Sequence, residues 1–255
     1  MMADPGWFFL LAVPVVVLTG ISKGGFAGGL GTLAVPLLTL MVDPRLAAAI
    51  MLPILCVMDI FTFWRYRRDW DARSLKILIP GALVGILFGA LTFHIMNADM
   101  IRLIVGLMSL YFVGNYWFVQ RRHGRVAPRS HHVVKGGVLG ALSGFTSFIA
   151  HAGGPPLSQY LFPLRLDKTV MVATSVMFFI TVNYVKLIPY AWLGQLSFDN
   201  LKMSFYLMPF APIGVWLGIW MHNRVSNVLF YIICYGLLFL VGLKLTAEGA
   251  LALLS

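Results

Sequence analysis

The feature that most constrains this fold is a glycine-rich segment inside a long apolar run near the N-terminus. Thr19–Pro36 reads TGISKGGFAGGLGTLAVP and lies within a run that extends from Trp7 to Val42. Glycine costs about 1 kcal/mol relative to alanine inside a helix. Irregular backbone at membrane depth is tolerated only where protein or a water-filled cavity surrounds it. The run therefore predicts two half-helices separated by a glycine break that lines a cavity.

A second stretch of the same kind occurs past the middle of the chain. Gly144–Pro163 reads GFTSFIAHAGGPPLSQYLFP. Two interrupted hydrophobic segments in corresponding halves of a sequence are typical of a transporter, whose substrate site they form. The pair of breaks predicts one shared site inside the bilayer.

The composition is that of a chain that crosses a membrane several times. Of its 255 residues, 60% are hydrophobic and 11% are charged, with a mean hydropathy of +0.87. A spanning helix needs about 20 mostly apolar residues, and several such runs follow one another. The composition argues against a water-soluble enzyme. No CxxC or HExxH motif occurs, so no metal or cofactor is expected. The formal charge of +10 lies mostly in two short loops, so it indicates orientation in the membrane rather than binding to nucleic acid.

The pattern predicts an all-α polytopic membrane protein built from two inverted repeats. Each repeat has a glycine-broken, re-entrant or discontinuous helix pair followed by three full transmembrane helices. We expect the repeats at 1–119 and 133–255, joined by a basic linker at 120–132. The expected arms and helices are Trp7–Ile21 and Thr32–Val42, each short for a span, then Arg45–Trp64, Ile77–Ile95, Met100–Val119, Val133–Ala150, Gly153–Leu164, Thr169–Trp192, Leu201–His222 and Ser226–Leu245.

The duplication can be followed residue by residue. Gly28-Gly29 matches Gly153-Gly154, and Ala48 matches Ala173, both at an offset of 125. A P-x-A-x-x-G-x-x-x-G pattern that begins at Pro80 recurs from Pro209, at an offset of 129. Small residues are common in membrane helices for packing reasons alone, but two copies at corresponding places favour duplication.

The distribution of basic residues predicts the orientation. If each broken element returns to its own side, 13 of the Lys and Arg residues in loops share one side and 3 lie on the other. If each is an ordinary span, the counts are 11 and 5. Both place the loops 65–76 and 120–135 in the cytoplasm by the positive-inside rule. The first arrangement leaves three crossings in each half, which would make the halves antiparallel, as inverted repeats require.

Few polar side chains lie at membrane depth, so each is a candidate for function. Half-helix N-termini bind anions through free amides, and a cationic side chain beside a break would add to this attraction. An oxyanion fits better than a cation, which would need carboxylates. The expected substrate-binding residues are Ser22, Lys23, Gly24, Gly25, Gly28, Gly29, Thr32, Ser147, His151, Gly153, Gly154, Thr174 and Ser175.

Several of these residues also have a purely structural interpretation. Lys23 could be an interfacial lysine, His151 a satisfied histidine between helices, and the hydroxyls of Thr174-Ser175 could bond to their own helix. Asp59 is either a coupling group, such as a proton carrier, or the partner of a nearby arginine such as Arg65. Lys186, near a helix end, is expected to extend its ammonium to the membrane interface.

The two motifs are similar to those of a known family. GGFAGGLGTLAVPLL and SGFTSFIAHAGGPPLSQYLF resemble the TauE/SafE sulfite exporter family of membrane permeases. The resemblance covers nearly the whole chain, and its motif falls on Gly24, Gly25, Gly28, Gly29, Gly31, Pro36, Gly153, Gly154 and Pro156. It implies a permease for sulfite, thiosulfate, a sulfonate or a related organic anion. This sequence departs from the pattern at Thr32-Leu33 and at His151–Pro156.

The leading hypothesis is a secondary transporter that moves a small anion across the bacterial inner membrane by alternating access. An anion channel of the same fold and a carboxylate permease are the alternatives. A membrane-embedded enzyme has little support, because acid-base and metal-binding groups are sparse. A purely structural role also has little support, because burying many glycines in broken helices is costly without a ligand. The expected partners are the anion and the lipid bilayer, with no nucleic acid, and a homodimer is left open.

Overall fold

The chain is almost entirely helical. The computed structural model describes residues 5–26, 33–93, 95–122, 130–222, 224 and 227–254. We number the α-helices of these residues in chain order. They are α1 Pro5–Gly25, α2 Ala34–Thr39, α3 Pro44–Tyr66, α4 Ala72–Phe93, α5 Ala98–Arg122, α6 Val133–Ala150, α7 Gly154–Leu161, α8 Lys168–Trp192, α9 Phe198–Leu207, α10 Phe210–Met221 and α11 Asn227–Leu254. A short 3₁₀ helix, Phe162–Leu164, follows α7.

The length and polarity of the helices confirm a polytopic membrane protein. Among the described residues, six helices are long and apolar enough to cross a membrane, and the bent pair α9 and α10 brings the number to seven if it counts as one span. Large apolar side chains also cover the outside of the protein. On α4 these are Leu83, Val84, Leu87, Phe88 and Leu91. An outward apolar surface of this kind is stable only against lipid.

The second glycine break lies where the sequence predicts it. Helix α6 ends at Ala150, and α7 begins at Gly154 with two prolines in its first turn. Proline is favoured there because its missing N–H would have no partner within the helix.

The first break begins later than expected. Helix α1 continues to Gly25 and forms a candidate span of full length rather than a short arm. Of the predicted second arm, α2 retains Ala34–Thr39. Gly28, Gly29 and Thr32 lie outside the described residues.

Two other boundaries differ from the expected ones. Helix α4 starts at Ala72 rather than Ile77, because the Asp71 carboxylate accepts a hydrogen bond from the Ser74 amide at 2.9 Å and caps the helix. The expected helix Leu201–His222 is two helices that meet at an angle of 45°, with Pro209 at the junction. Proline ends a helix because it lacks the N–H and its ring clashes with the preceding turn.

The helices of the two halves pair in a matching way. Helix α1 packs against α10 and α6 against α4, while α3 packs against α8 and α5 against α11. Helices α3 and α8 run antiparallel, because Asp59 bonds to Asn183 while Tyr66 packs against Val172 and Ala173. These contacts are those expected of inverted repeats, although the inverted symmetry itself stays a prediction.

Glycines allow the tightest of these helix contacts. A Cβ on Gly85 of α4 would lie 1.9 Å from the carbonyl oxygen of Ala141 on α6. A Cβ on Gly24 of α1 would lie 2.4 Å from the carbonyl oxygen of Val215 on α10. Membrane helices associate closely where small residues remove side-chain bulk. The glycines of the repeated pattern therefore hold the two halves against each other.

Candidate functional site

The two broken elements meet at a small buried cavity. Its walls come from α1, α3, α6, α8 and the turn after α6. The lining residues are Thr19, Lys23, Leu55, Ser147, His151, Phe179 and Asn183. Its volume of about 20 Å³ has room for about one water molecule. The structure thus brings Lys23, from one break, to the same place as Ser147 and His151, from the other.

One side of the cavity is an ion pair between α1 and α3. The Lys23 ammonium contacts one carboxylate oxygen of Asp59 and lies 3.3 Å from the carbonyl oxygen of Leu55. The Asn183 amide donates to the other carboxylate oxygen at 2.8 Å. Both oxygens of this buried carboxylate are therefore occupied.

The partner of Asp59 is not the arginine considered from the sequence. Arg65 places its guanidinium 5.1 Å from the ring centre of Tyr66, whereas Lys23 pairs with Asp59. The same contact rules out the interpretation of Lys23 as an interfacial lysine, since its side chain is only 6% exposed. Whether Asp59 couples transport to an ion stays a prediction.

A second buried lysine contacts Ser147 and His151 of the cavity wall, and here the sequence-based interpretation is wrong. Lys186 is fully buried instead of reaching the interface. Its ammonium lies 3.0 Å from both the carbonyl oxygen and the hydroxyl of Ser147. It also lies 2.9 Å from Nδ1 of His151. Lys186 is therefore a central residue of the site.

His151 is held in an unusual backbone conformation. It caps the C-terminal end of α6 in the left-handed region, with φ 52° and ψ 29°. Non-glycine residues rarely adopt this region, which costs roughly 1–2 kcal/mol. The ring nitrogen Nε2 lies 2.9 Å from the carbonyl oxygen of Ala48, so Nε2 carries the proton and Nδ1 accepts from Lys186. A strained backbone that presents a well-bonded side chain is characteristic of a functional position.

The two buried lysines have different partners. Lys23 pairs with the carboxylate of Asp59, but the three atoms around the Lys186 ammonium are neutral acceptors. A buried charge needs a compensating partner. Among the described residues no carboxylate contacts Lys186, so a bound anion would supply the counter-charge of its protonated form.

The break after α6 adds free backbone amides. Among the described residues, no hydrogen-bond acceptor faces the amides of Gly153 and Gly154. A Cβ on Gly153 would lie 2.7 Å from the carbonyl oxygen of Ser143, so this position requires glycine. The Ser143 hydroxyl donates to the carbonyl of Gly153 at 2.6 Å and holds the turn beside Ser147.

Three of the other expected site residues that the structure describes, Ser22, Gly24 and Gly25, do not line the cavity. Ser22 is buried near the end of α1, and its carbonyl accepts from the Phe26 amide at 2.9 Å. The carbonyls of Gly24 and Gly25 accept hydrogen bonds from Tyr66 and His222, each at 2.7 Å.

Thr174 and Ser175 bond to their own helix, as the structural interpretation expected. Their hydroxyls donate to the carbonyls of Val170 and Met171, at 2.7 and 3.0 Å. The Thr174 hydroxyl also accepts from the Asp71 amide at 2.9 Å, so it joins α8 to the start of α4. The structure does not bring these two residues to the cavity.

Two similar sets of contacts lie at opposite ends of the α3 and α8 pair. In the first, the Tyr66 hydroxyl donates to the carbonyl of Gly24 at 2.7 Å. The Lys168 ammonium donates to the carbonyl of His222, whose ring lies edge-on at 6.3 Å from the Tyr66 ring. We call this set the Tyr66 latch.

The second set has the same construction from the other half of the chain. The Tyr190 hydroxyl donates to the carbonyl of Phe148 at 2.7 Å. The Arg45 guanidinium donates to the carbonyl of Phe93 at 3.4 Å, and the Phe93 ring lies 6.5 Å from that of Tyr190. This set is the Tyr190 latch. Each latch joins the end of a broken element to a tyrosine of the span that follows it.

The sequence contains a signal that would have found Lys186. Tyr66 and Tyr190, Asp59 and Asn183, and the carbonyls of Gly24 and Phe148 correspond at a single offset of 124. Asn183, Lys186 and Tyr190 are three and four residues apart and share one helix face. The repeat therefore places Lys186 on the face that carries Asp59 and Tyr66 in the first half.

The fold and the buried charged site are those of a polytopic membrane transport protein. A family model described as sulfite exporter TauE/SafE matches residues 12–245, which is nearly the whole chain, so the protein belongs to this family. No curated protein matches the chain, and no solved structure matches it either.

Proposed function

We propose that this protein is a secondary transporter that moves a small anion, a sulfur oxyanion or organosulfonate such as sulfite, by alternating access. Membership of a sulfite exporter family supports a permease for sulfur compounds. The observation that carries the proposal is Lys186, a fully buried lysine that bonds to Ser147 and His151 of the cavity wall and contacts no carboxylate among the described residues. The anion would take the place of the missing counter-charge.

The geometry supplies the donors that an oxyanion needs. Lys23 lines the cavity, the Lys186 ammonium bonds to Ser147 and His151 of its wall, and Gly153 lies next to Ser147. Hydrogen bonds in which one partner is charged are about twice as strong as neutral ones. An oxyanion seated among these groups would accept from several of them at once.

The size of the cavity supports alternating access over a permanent pore. A cavity of about 20 Å³ has room for about one water, and a sulfur oxyanion is larger than a water molecule. The helices around the site must therefore move to admit the substrate. A latch at each end of the α3 and α8 pair offers two places at which such an opening could occur.

The charge of the loops supports the proposed orientation, and membership of the family supports a location in a membrane. We place the protein in the bacterial inner membrane with loops 65–76 and 120–135 in the cytoplasm. Export of an anion then gains about 2.3 kcal/mol per charge for each 100 mV of membrane potential. We assign the protein no catalytic activity, in keeping with its family of transporters. The homodimer considered from the sequence stays a prediction.

The test is transport of labelled sulfite into proteoliposomes that contain the purified protein. We expect saturable uptake that unlabelled sulfonates compete for, and loss of uptake in Lys186→Met. The matched control is Lys244→Met, because Lys244 is an exposed lysine on α11 whose side chain is 55% accessible. Absence of transport for every anion tried would overturn the proposal.

Two other results would indicate one of the alternatives. Flux that rises linearly with concentration, together with single-channel currents, would indicate an anion channel. Uptake of carboxylates in preference to every sulfur anion would indicate a carboxylate permease.

A further inference from the structure

The charge of the site determines which anions it can hold. Among the described residues, one carboxylate lies in the lysine cluster. Asp59 is the acidic residue that bonds within the lysine cluster. The other described acidic residues cap helices, pair at the surface or lie in loops and first turns, namely Asp43, Asp69, Asp71, Asp99, Asp167, Asp199 and Glu248.

The part of the first break that lies outside the described residues adds no charge. Residues 27–32 read AGGLGT and contain no ionisable side chain. Within the described part of the chain, the lysine and carboxylate groups of this cluster are therefore Lys23, Asp59 and Lys186.

Three acceptors surround the Lys186 ammonium. The carbonyl and hydroxyl oxygens of Ser147 and the Nδ1 atom of His151 can all accept a hydrogen bond, and an ammonium has three hydrogens to donate. The C-terminal end of α6, which carries a partial negative charge, lies next to the N-terminal end of α7, which carries a partial positive charge, and the two offset each other. An anion bound beside Lys186 would favour its protonated form, which adds one positive charge to the neutral pair of Lys23 and Asp59.

We propose that this site selects singly charged anions over doubly charged ones, with Lys186 as the residue that sets the count. The proposal rests on the proposed transport function and specifies its substrate class. A monoanion would leave the occupied site neutral. A dianion would leave one uncompensated negative charge in the low-dielectric interior, where such a charge is costly. The pair of Lys23 and Asp59 contributes no net charge. Replacing either member with a neutral residue changes the net charge of the site by one unit.

The test compares two anions of similar shape that differ in charge, at one pH. Methanesulfonate is a monoanion and sulfate is a dianion, and both are tetrahedral at sulfur. In proteoliposomes, the wild-type protein should take up methanesulfonate at least about tenfold faster than sulfate. Asp59→Asn raises the charge of the site to two, so the ratio should fall by about tenfold or reverse in favour of sulfate.

A double variant separates charge from loss of the ion pair. Lys23→Gln with Asp59→Asn removes the pair and leaves a single positive charge on Lys186. This double variant should keep the preference for methanesulfonate, whatever its absolute rate. The double variant also keeps the test usable if Asp59→Asn alone does not fold. Asp59→Asn leaves Lys23 buried without its carboxylate partner, whereas the double variant has no lysine at that position.

The outcomes distinguish this proposal from the transport function itself. Equal uptake of both anions by the wild type, or a double variant that prefers sulfate, would overturn the charge rule while leaving a working permease. Absence of uptake for methanesulfonate, sulfate and sulfite alike would instead remove the proposed function. Preference for the monoanion in the wild type and the double variant, with a shift in Asp59→Asn, would establish the rule.

Discussion

At the scale of single residues, His151 combines a strained left-handed backbone with a side chain that makes two hydrogen bonds. The turn after α6 calls for glycine by its backbone angles, φ 52° and ψ 29°, and glycine adopts them without a steric penalty. The chain instead has a histidine whose two ring nitrogens contact Ala48 and Lys186. The backbone cost is offset by these bonds, which join α3, α6 and α8 at one point.

The backbone strain at His151 can be measured directly. Among variants that lack the imidazole, His151→Gly should be more stable than His151→Ala by about 1 kcal/mol, because only glycine is unstrained there. Thermal unfolding in detergent would measure the difference. At Ala150, the last residue of α6, the order should be opposite, with Ala150→Gly less stable than the wild type. Equal stability of the two His151 variants would contradict the strain.

The stability that Asp71 contributes should depend on pH. Asp71 lies in the loop before α4. Burial raises the pKa of its carboxyl, but hydrogen bonds with Ser74 and His131 outweigh burial and hold the pKa below its usual value. A carboxyl with a lowered pKa in the folded state stabilises the protein above its unfolded pKa. This contribution is lost as the pH falls through the folded pKa.

The expected effect of removing this carboxyl follows from that sign. Asp71→Ala should lower stability by about 1 kcal/mol at neutral pH, as expected for loss of an N-cap. The difference from the wild type should shrink in acid, where both lack the charge. Melting curves across a pH series would show this. Asp69→Ala is the control, because Asp69 is exposed in the same loop, and it should have little effect at any pH. A constant difference across the series would rule out the charged cap.

At the scale of helices, close packing between α4 and α6 depends on which face each glycine occupies. Gly85 faces the α6 backbone, and its Cβ would meet the carbonyl oxygen of Ala141 at 1.9 Å. Gly137 on α6 has open space where its Cβ would lie, with no atom within 4 Å. The two positions are therefore a matched pair within one interface.

The same substitution should have opposite effects at these two glycines. Gly85→Ala should destabilise the protein by about 1–3 kcal/mol, because the backbones must separate. Gly137→Ala should stabilise it by up to about 1 kcal/mol through helix propensity. Thermal melting of the two variants in the same detergent makes the comparison. If Gly85→Ala were as stable as Gly137→Ala, the close contact would not exist.

Helix boundaries show how far sequence patterns determine local structure. The break at His151–Gly153 was predictable because helix-breaking residues interrupt an apolar run there. Two prolines related by the repeat behave differently, since Pro80 lies inside the continuous α4 while Pro209 separates α9 from α10. Whether a proline bends or ends a helix depends on packing around it, and that information is not local in the sequence.

The site itself was predictable only in part, for the same reason. Lys23, Ser147 and His151 were expected together because they lie at or near the breaks, and all three line the cavity, while their role in binding stays a prediction. Lys186 was misinterpreted because its partners come from α6, 35 and 39 residues away. A lysine six residues before the end of α8 could reach the interface only if its side chain pointed along the helix. Tertiary packing turns it toward Ser147 instead.

At the scale of the whole molecule, the two latches give the protein two comparable ends. The tyrosine of each latch holds a carbonyl near the end of a broken element, and the buried lysines lie between the latches. Since α3 and α8 run antiparallel, Tyr66 and Tyr190 lie at opposite ends of the pair. Alternating access would require that one latch open while the other stays closed, so that the site communicates with one side at a time.

This requirement predicts opposite effects for two conservative variants. The test uses a protein in which Cys56 and Cys234 are replaced by alanine. In this protein Leu55→Cys introduces one thiol at the cavity, which Leu55 lines, and its labelling rate measures access to the cavity. Tyr66→Phe removes one hydrogen bond, worth about 1 kcal/mol. It should speed labelling by a membrane-impermeant thiol reagent several-fold from the side of the basic loops, whereas Tyr190→Phe should speed it from the other side.

Tyr184→Phe is the control, because the Tyr184 hydroxyl makes only a 3.5 Å contact with the carbonyl of Cys56. If both variants exposed Leu55→Cys to the same side, the latches would not be alternating gates.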